Sequence, residues 1–138
     1  MSGQKLYKAI MLIDDNEIDN LINQKINEAS NICDYIFTHT GGKSAIEFLK
    51  NIEKIAPLTG NQGLPELIFL DIDMPLMDGF QFLDEFETLS PATKEYCKIV
   101  MLTSSINPQD MSKSKKYHYV KKYINKPLSP ESLKKLEV

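Results

Sequence analysis

LIFLDIDMPLMDGF, residues Leu67 to Phe80, is the stretch on which the reading of the fold turns. Four apolar residues, Leu67 to Leu70, run straight into Asp71, and Asp73, Pro75, Asp78-Gly79 and an aromatic follow. An unbroken apolar run of strand length, bounded by turn residues, reads as a strand covered on both faces. Such strands belong to parallel sheets packed between helices, because a sheet with one wet face alternates apolar and polar residues. A carboxylate at the end of a buried strand is costly unless it has a partner or a task. Two tasks fit: the nucleophile pair Asp71-x-Asp73 of a phosphohydrolase, or a single acceptor for a phosphoryl group in signalling.

The same unit recurs along the chain. YKAIMLI (Tyr7–Ile13) precedes DDNEIDNLINQKINEAS, where Ile18, Leu21, Ile22, Ile26 and Ala29 share one helical face. CDYIFTHT is strand-like, ends at Gly41-Gly42, and is followed by KSAIEFLKNIEKI with Ala45, Ile46, Leu49 and Ile52 at helical spacing. After ELIFLD comes FQFLDEFETL, which stops at Ser90-Pro91; after CKIVMLT comes NPQDMSKSKKYH, with Asn107 as N-cap and Pro108 at the first helical position. VKKYIN and SPESLKKLEV close the series, with Leu133 and Leu136 facing inward. Five strand-helix pairs predict an α/β fold, a doubly wound five-stranded parallel sheet of flavodoxin-like (βα)5 type with strand order 2-1-3-4-5.

Composition agrees with a single domain over 1–138 and leaves no room for an output domain: 138 residues, 42% hydrophobic and 25% charged, bury roughly two thirds of the unfolded surface. A net charge of −3 gives no general attraction to nucleic acid or to an anionic membrane. The apolar run near the N-terminus is too short for a signal peptide or a membrane span. Cys33 and Cys97 fit no metal-ligand spacing and are expected as buried thiols, so the cytoplasm is the expected compartment.

Ligands in such sheets sit beyond the carboxyl ends of the strands. Those ends carry Asp14-Asp15, Asp71, Thr103-Ser104-Ser105 and Lys126-Pro127. Clustered carboxylates repel unless a cation sits among them. An all-oxygen set without His or Cys suits a hard ion, and few carboxylates with room for water and phosphate suit Mg2+. Lys126 supplies a point charge for a phosphate oxygen, and the Thr103 hydroxyl a hydrogen bond. Phosphoryl transfer needs such a set, and an Asp is a known nucleophile for it. Asp71, central in the sheet, is the expected nucleophile.

The ordered set Asp14-Asp15, LDIDMPLMDGF around Asp71, MLTS around Thr103 and YINKP around Lys126 resembles the receiver domain of two-component response regulators, in its stand-alone, chemotaxis-regulator-like form. The resemblance spans essentially the whole chain. It implies that Asp71 accepts a phosphoryl group from a phosphohistidine on a sensor histidine kinase or phosphotransfer protein. It implies Mg2+ held by Asp15, Asp71 and the backbone carbonyl of Asp73, with Asp14 helping through water. Lys126 would pair with the phosphoryl group and precede a cis peptide to Pro127. Thr103 and Ser104 would stabilise the phosphoryl group, and Tyr123 would swing inward as a switch. The chain would then be a phosphoacceptor rather than an enzyme, with a protein target on the face of the fourth helix, fifth strand and fifth helix.

The alternatives are a receiver-like module that is not phosphorylated and a haloacid dehalogenase-like phosphohydrolase. The hydrolase pattern has Thr or Val where this chain has Pro75, and its further metal acids follow the lysine, where only Glu131 and Glu137 stand here. Asp78-Gly79 and Ser129 read as turn and cap chemistry, and His39 and His118 as surface residues. Tyr119-Val120 replaces the Gly-Ala that receivers often carry before the fifth strand, and KIAPLTGNQGLP is a long approach to strand three, expected as a surface loop.

Overall fold

A computed structural model describes residues 7–59, 63–104, 106–126 and 128–136, the side chains of 56–59 excepted. The described elements run β1 (Tyr7–Ile13), α1 (Glu17–Ser30), β2 (Cys33–His39), α2 (Gly42–Thr59), β3 (Leu67–Asp71), α3 (Gly79–Phe86), α4 (Pro91–Tyr96), β4 (Lys98–Thr103), α5 (Pro108–Ser114), β5 (Val120–Asn125) and α6 (Pro130–Lys134). All strand pairs are parallel and the order is β2-β1-β3-β4-β5, as the sequence predicts. β3 is buried at every position. Its neighbours β1 and β4 carry their own acid and hydroxyl ends into line with Asp71, since Ile13 pairs with Leu70 and Asp71 with Leu102.

Alternation along the strands divides the core in two. Met11, Ile13, Ile68, Leu70, Ile99 and Met101 face α2 and α3. Ile10, Leu12, Phe69, Val100 and Leu102 face the other way, toward Leu133 of α6 and Leu136 just beyond it. α3 is amphipathic in the ordinary sense: Phe82, Leu83 and Phe86 are fully buried, each worth about 1.5–3 kcal/mol by area. Asp78 caps it through the Gln81 N–H, and Gln81 returns a bond to the Asp78 N–H, a capping box. Gly79 is there for contact, because a Cβ would meet the Ile72 Cα at 2.8 Å. Both cysteines are buried thiols.

Three features differ from the sequence-based expectation. Ser90-Pro91, read as a stop, also starts a helix: Ser90 accepts from the Thr93 N–H and Pro91 opens α4, a helix absent from the five-pair scheme. α2 continues through Pro57 to Thr59, while the helix after Asn107 ends at Ser114 rather than His118. Most consequential, the apolar stripe of α1 points outward. Ile18, Leu21 and Ile22 are exposed, whereas Asn20, Asn23 and Asn27 are buried against the sheet. Hydrogen bonds explain this orientation. The Asn20 amide donates to the carbonyls of Asp14 and His39, at 2.9 and 3.1 Å, and the Asn27 amide to the Asn23 carbonyl at 2.8 Å. The helix is fastened at the ends of β1 and β2 by the Asn20 amide, with Ile26 partly buried behind it.

Candidate functional site

The carboxyl ends of β1, β3, β4 and β5 bring the expected groups together. Asp14 and Asp71 are buried, Asp15 is exposed, and ligand atoms of all three lie within 4.8 Å of one another. Lys126 reaches across from the end of β5. Its Nζ is 2.7 Å from Asp14 Oδ2, 3.2 Å from Asp71 Oδ1 and 3.3 Å from Asp19 Oδ2. The lysine is held there by its backbone, whose N–H donates to the Thr103 carbonyl at 2.7 Å. The remaining oxygen of Asp14 accepts from the Asn16 N–H at 2.9 Å. Asp14 is therefore engaged with Lys126 across the site, and Asn16 is the residue that caps α1.

The electrostatics follow from the geometry. Burial, and then the charge of Asp14, raise the Asp71 pKa to about 7 against the opposing pull of Lys126. Burial works against the Lys126 charge as well, but its hydrogen bond to Asp14 and the charge of Asp71 outweigh that and hold its pKa above the ordinary lysine value. One lysine thus neutralises part, not all, of a cluster of acids. The excess negative charge, the absence of His or Cys among the donors and the all-oxygen chemistry fit a hard divalent cation.

Asp73 does not join the cluster: its side chain is exposed, and its N–H donates to Asp71 Oδ1 at 3.2 Å. Thr103 is buried at the end of β4 and Ser104 is exposed beside it. Tyr123 is half-buried, with its hydroxyl enclosed and in no hydrogen bond of good geometry. Burial, then the charge of Asp110, raise its pKa, while Thr103 and the Asn107 backbone are its polar neighbours. Pro127, the expected cis position, lies outside the described residues. Sequence reasoning missed Asp19, one helical turn beyond Asp15, and Asn20, the clamp between the ends of β1 and β2; the i, i+4 spacing from Asp15 was a usable signal for the first. His39 is half-buried rather than a plain surface residue, with its ring against Phe48 and its Nδ1 3.1 Å from the Ser44 hydroxyl.

A family model described as the response regulator receiver domain matches residues 10–136. The chain belongs to that family, the signalling domains of two-component systems that histidine kinases phosphorylate and that bind Mg2+ or Mn2+ at an acidic pocket. It is 30% identical over 129 residues to response regulator Rcp1 of Synechocystis sp., covering 94% of this chain and 83% of Rcp1. Among solved structures it is similar to a two-component response regulator from Cytophaga hutchinsonii, with 29% identity and TM-score 0.79 over 95% of this chain and 93% of that one. The Mn2+-bound form of Rcp1 is also similar, with 30% identity and TM-score 0.69 over 91% and 86% of the two chains. Among the described residues no helix is long and apolar enough to cross a membrane.

Proposed function

We propose that this chain is a phosphorylation switch in a two-component phosphorelay, a single receiver domain in the cytoplasm, and that Asp71 is its phosphoacceptor. One observation carries the reading: a carboxylate 2% exposed at the end of the central strand, with a lysine Nζ 3.2 Å away and two further acids beside it. An Asp71 oxygen attacks the phosphorus of a phosphohistidine on a sensor kinase or phosphotransfer protein. The O–P bond forms as the P–N bond breaks, and the imidazole leaves with a proton taken from solvent. Lys126 faces the added charge, while the Thr103 and Ser104 hydroxyls would donate to phosphoryl oxygens. Asp14, Asp15, Asp71 and the Asp73 carbonyl would hold Mg2+, which when bound offsets charge on the phosphoryl oxygens.

Exposed Ile18 and Leu21 of α1, with Leu76 and Ile106 on the loops after β3 and β4, ring this end of the sheet and suit docking of a protein donor. Leu76 is fully exposed at φ 67, in a tight turn closed by the Met77 N–H to the Pro75 carbonyl at 2.7 Å. Apolar side chains held out in a strained turn are a feature of binding surfaces. In the phosphorylated state the Thr103 hydroxyl turns to the phosphoryl group and Tyr123 follows, and the face of α5, β5 and α6 changes its affinity for a protein target. The hydrolase alternative needs Asp71 and Asp73 to act as a pair, and the exposure of Asp73 outside the acid cluster speaks against that.

The reading is tested by incubating the protein with Mg2+ and acetyl phosphate or a phosphomonoester and following phosphate release. The expected result is slow turnover of acetyl phosphate and none of the monoester. Sustained monoester hydrolysis would put the chain among the phosphohydrolases.

A further inference from the structure

Asp19 has no part in the chemistry described so far, yet it is one of three carboxylates around Lys126. An ammonium carries three N–H donors, and the Lys126 Nζ meets Asp14 Oδ2 at 2.7 Å, Asp71 Oδ1 at 3.2 Å and Asp19 Oδ2 at 3.3 Å. Two of these acids lie in the cluster that fits a divalent cation. Asp19 does not, because among the described residues that cluster is Asp14, Asp15 and Asp71. Its side chain is 39% exposed, against 2% for Asp14 and 3% for Asp71. It is therefore the acid whose charge is left to Lys126 alone once a cation shares the others.

The position of Asp19 is built from both sides. Its N–H donates to the Asn16 Oδ1 at 3.1 Å, as part of the N-cap of α1. The next residue, Asn20, donates its amide to the Asp14 and His39 carbonyls, which fixes the rotation of the helix. The same rotation that turns Ile18 and Leu21 outward thus points Asp19 at the end of β5. Lys126 is fixed from its own side by its N–H to the Thr103 carbonyl. Beside the pair is a small cavity of about 30 Å³, lined by Asp19, Ile22, Asn23 and Lys126, about the share of one water molecule, so the ammonium has room on the α1 side. An acid in the first turn of a helix also favours the helix dipole, and Glu17 serves that purpose equally. The dipole does not call for a lysine 107 residues away in the chain, which is where Asp19 finds its partner.

We propose that Asp19 is a positioning residue that holds the Lys126 ammonium toward α1, so that a phosphoryl group on Asp71 competes with it for the lysine. This rests on the reading of Asp71 as the phosphoacceptor and deepens it, since Asp19 then sets how firmly the phosphoryl group is held. Two effects act in the same direction. The phosphoryl group needs an N–H that Asp19 holds, and its added negative charge is repelled by the Asp19 carboxylate. Removing that carboxylate relieves both.

The test uses beryllofluoride, an analogue of the phosphoryl group, titrated into the protein in saturating Mg2+ and followed by fluorine NMR. Asp19→Asn should lower the half-saturating concentration of the analogue at least about threefold. Asp19→Glu, which returns a carboxylate to the same turn, should restore the parent value. Glu17→Gln removes the other acid of that turn and should keep the parent value. A second readout needs no analogue: in Mg2+ alone, the side-chain nitrogen NMR signal of Lys126, assigned by its loss in Lys126→Arg, should move in Asp19→Asn and stay in Glu17→Gln. Where the parent binds the analogue, unchanged or weaker binding in Asp19→Asn, or an equal gain in Glu17→Gln, would overturn the proposal, as would a lysine signal indifferent to Asp19. No analogue binding and no intact-mass gain from acetyl phosphate in the parent, with the lysine signal still dependent on Asp19, would uphold the hold on Lys126 and remove the phosphoacceptor reading instead.

Discussion

α1 and α3 are both amphipathic, yet the fold uses them in opposite senses. α3 buries Phe82, Leu83 and Phe86 and turns its polar side to water. α1 buries Asn20, Asn23 and Asn27 and presents Ile18, Leu21 and Ile22. α3 is held by apolar area and α1 by amide hydrogen bonds to the ends of strands. An apolar stripe therefore shows that a helix has two faces, and does not show which one the sheet receives. On α1 the stripe adjoins the acid site, where an apolar surface is of use to a partner.

Substitutions can break this contrast in order of size. Phe86→Ala on α3 should cost about 3–5 kcal/mol, since it empties a fully buried position; urea denaturation would show the shift in midpoint. Between the two helices, Asp71→Asn should stabilise the metal-free protein at neutral pH by about 1–3 kcal/mol. The sign follows from the raised pKa of about 7. The folded state resists ionisation, so the cost of ionising Asp71 is absent below its unfolded value near about 4, and grows until the pH passes the folded value. Melting curves in a chelator should accordingly show the variant's advantage at pH 8 and little of it at pH 4. Asn27→Leu tests the amide face itself. The Asn27 Oδ1 is buried without a hydrogen bond partner and its amide donates to Asn23 within the helix, so an apolar residue of similar size should be neutral or stabilising by about 1 kcal/mol; a clear loss of stability would show that the Asn20 bonds to the strand ends do not hold α1 alone. The smallest effect belongs to the outward stripe. Ile18→Ser with Leu21→Ser should change stability by less than about 0.5 kcal/mol, yet slow phosphotransfer from a histidine-phosphorylated protein while leaving acetyl phosphate reactivity as it was.

The strands were legible because each apolar run is closed by a turn or cap residue, and because β3 is apolar from Leu67 to Leu70 without a polar break, which fits a doubly covered sheet. Strand order then carried Asp14, Asp71 and Lys126 to one edge, and the distances bear out their convergence. The facing of α1 was not legible, since periodicity is blind to hydrogen bonds between Asn20 and two carbonyls supplied by different strands. α4 escaped because Ser-Pro ends one helix and begins another with the same residues. The sequence reading gave Asp73 only its backbone carbonyl in the site, and the residue's exposure outside the acid cluster agrees with keeping its carboxylate apart from Asp71. The bulge in β5 at Lys121, between the paired Val120 and Lys122, left no mark in the sequence, as an extra strand residue is defined only by what it fails to pair with.

The most direct measurement is to locate the phosphoryl group. After reaction with acetyl phosphate and Mg2+, borohydride reduction converts a phosphorylated aspartate to homoserine, and peptide mass analysis finds the converted position. The account predicts conversion at Asp71 alone, lost in Asp71→Asn and in excess chelator. Conversion at Asp14, Asp15 or Asp73 with Asp71 untouched, or none under conditions that phosphorylate a known receiver, would contradict it.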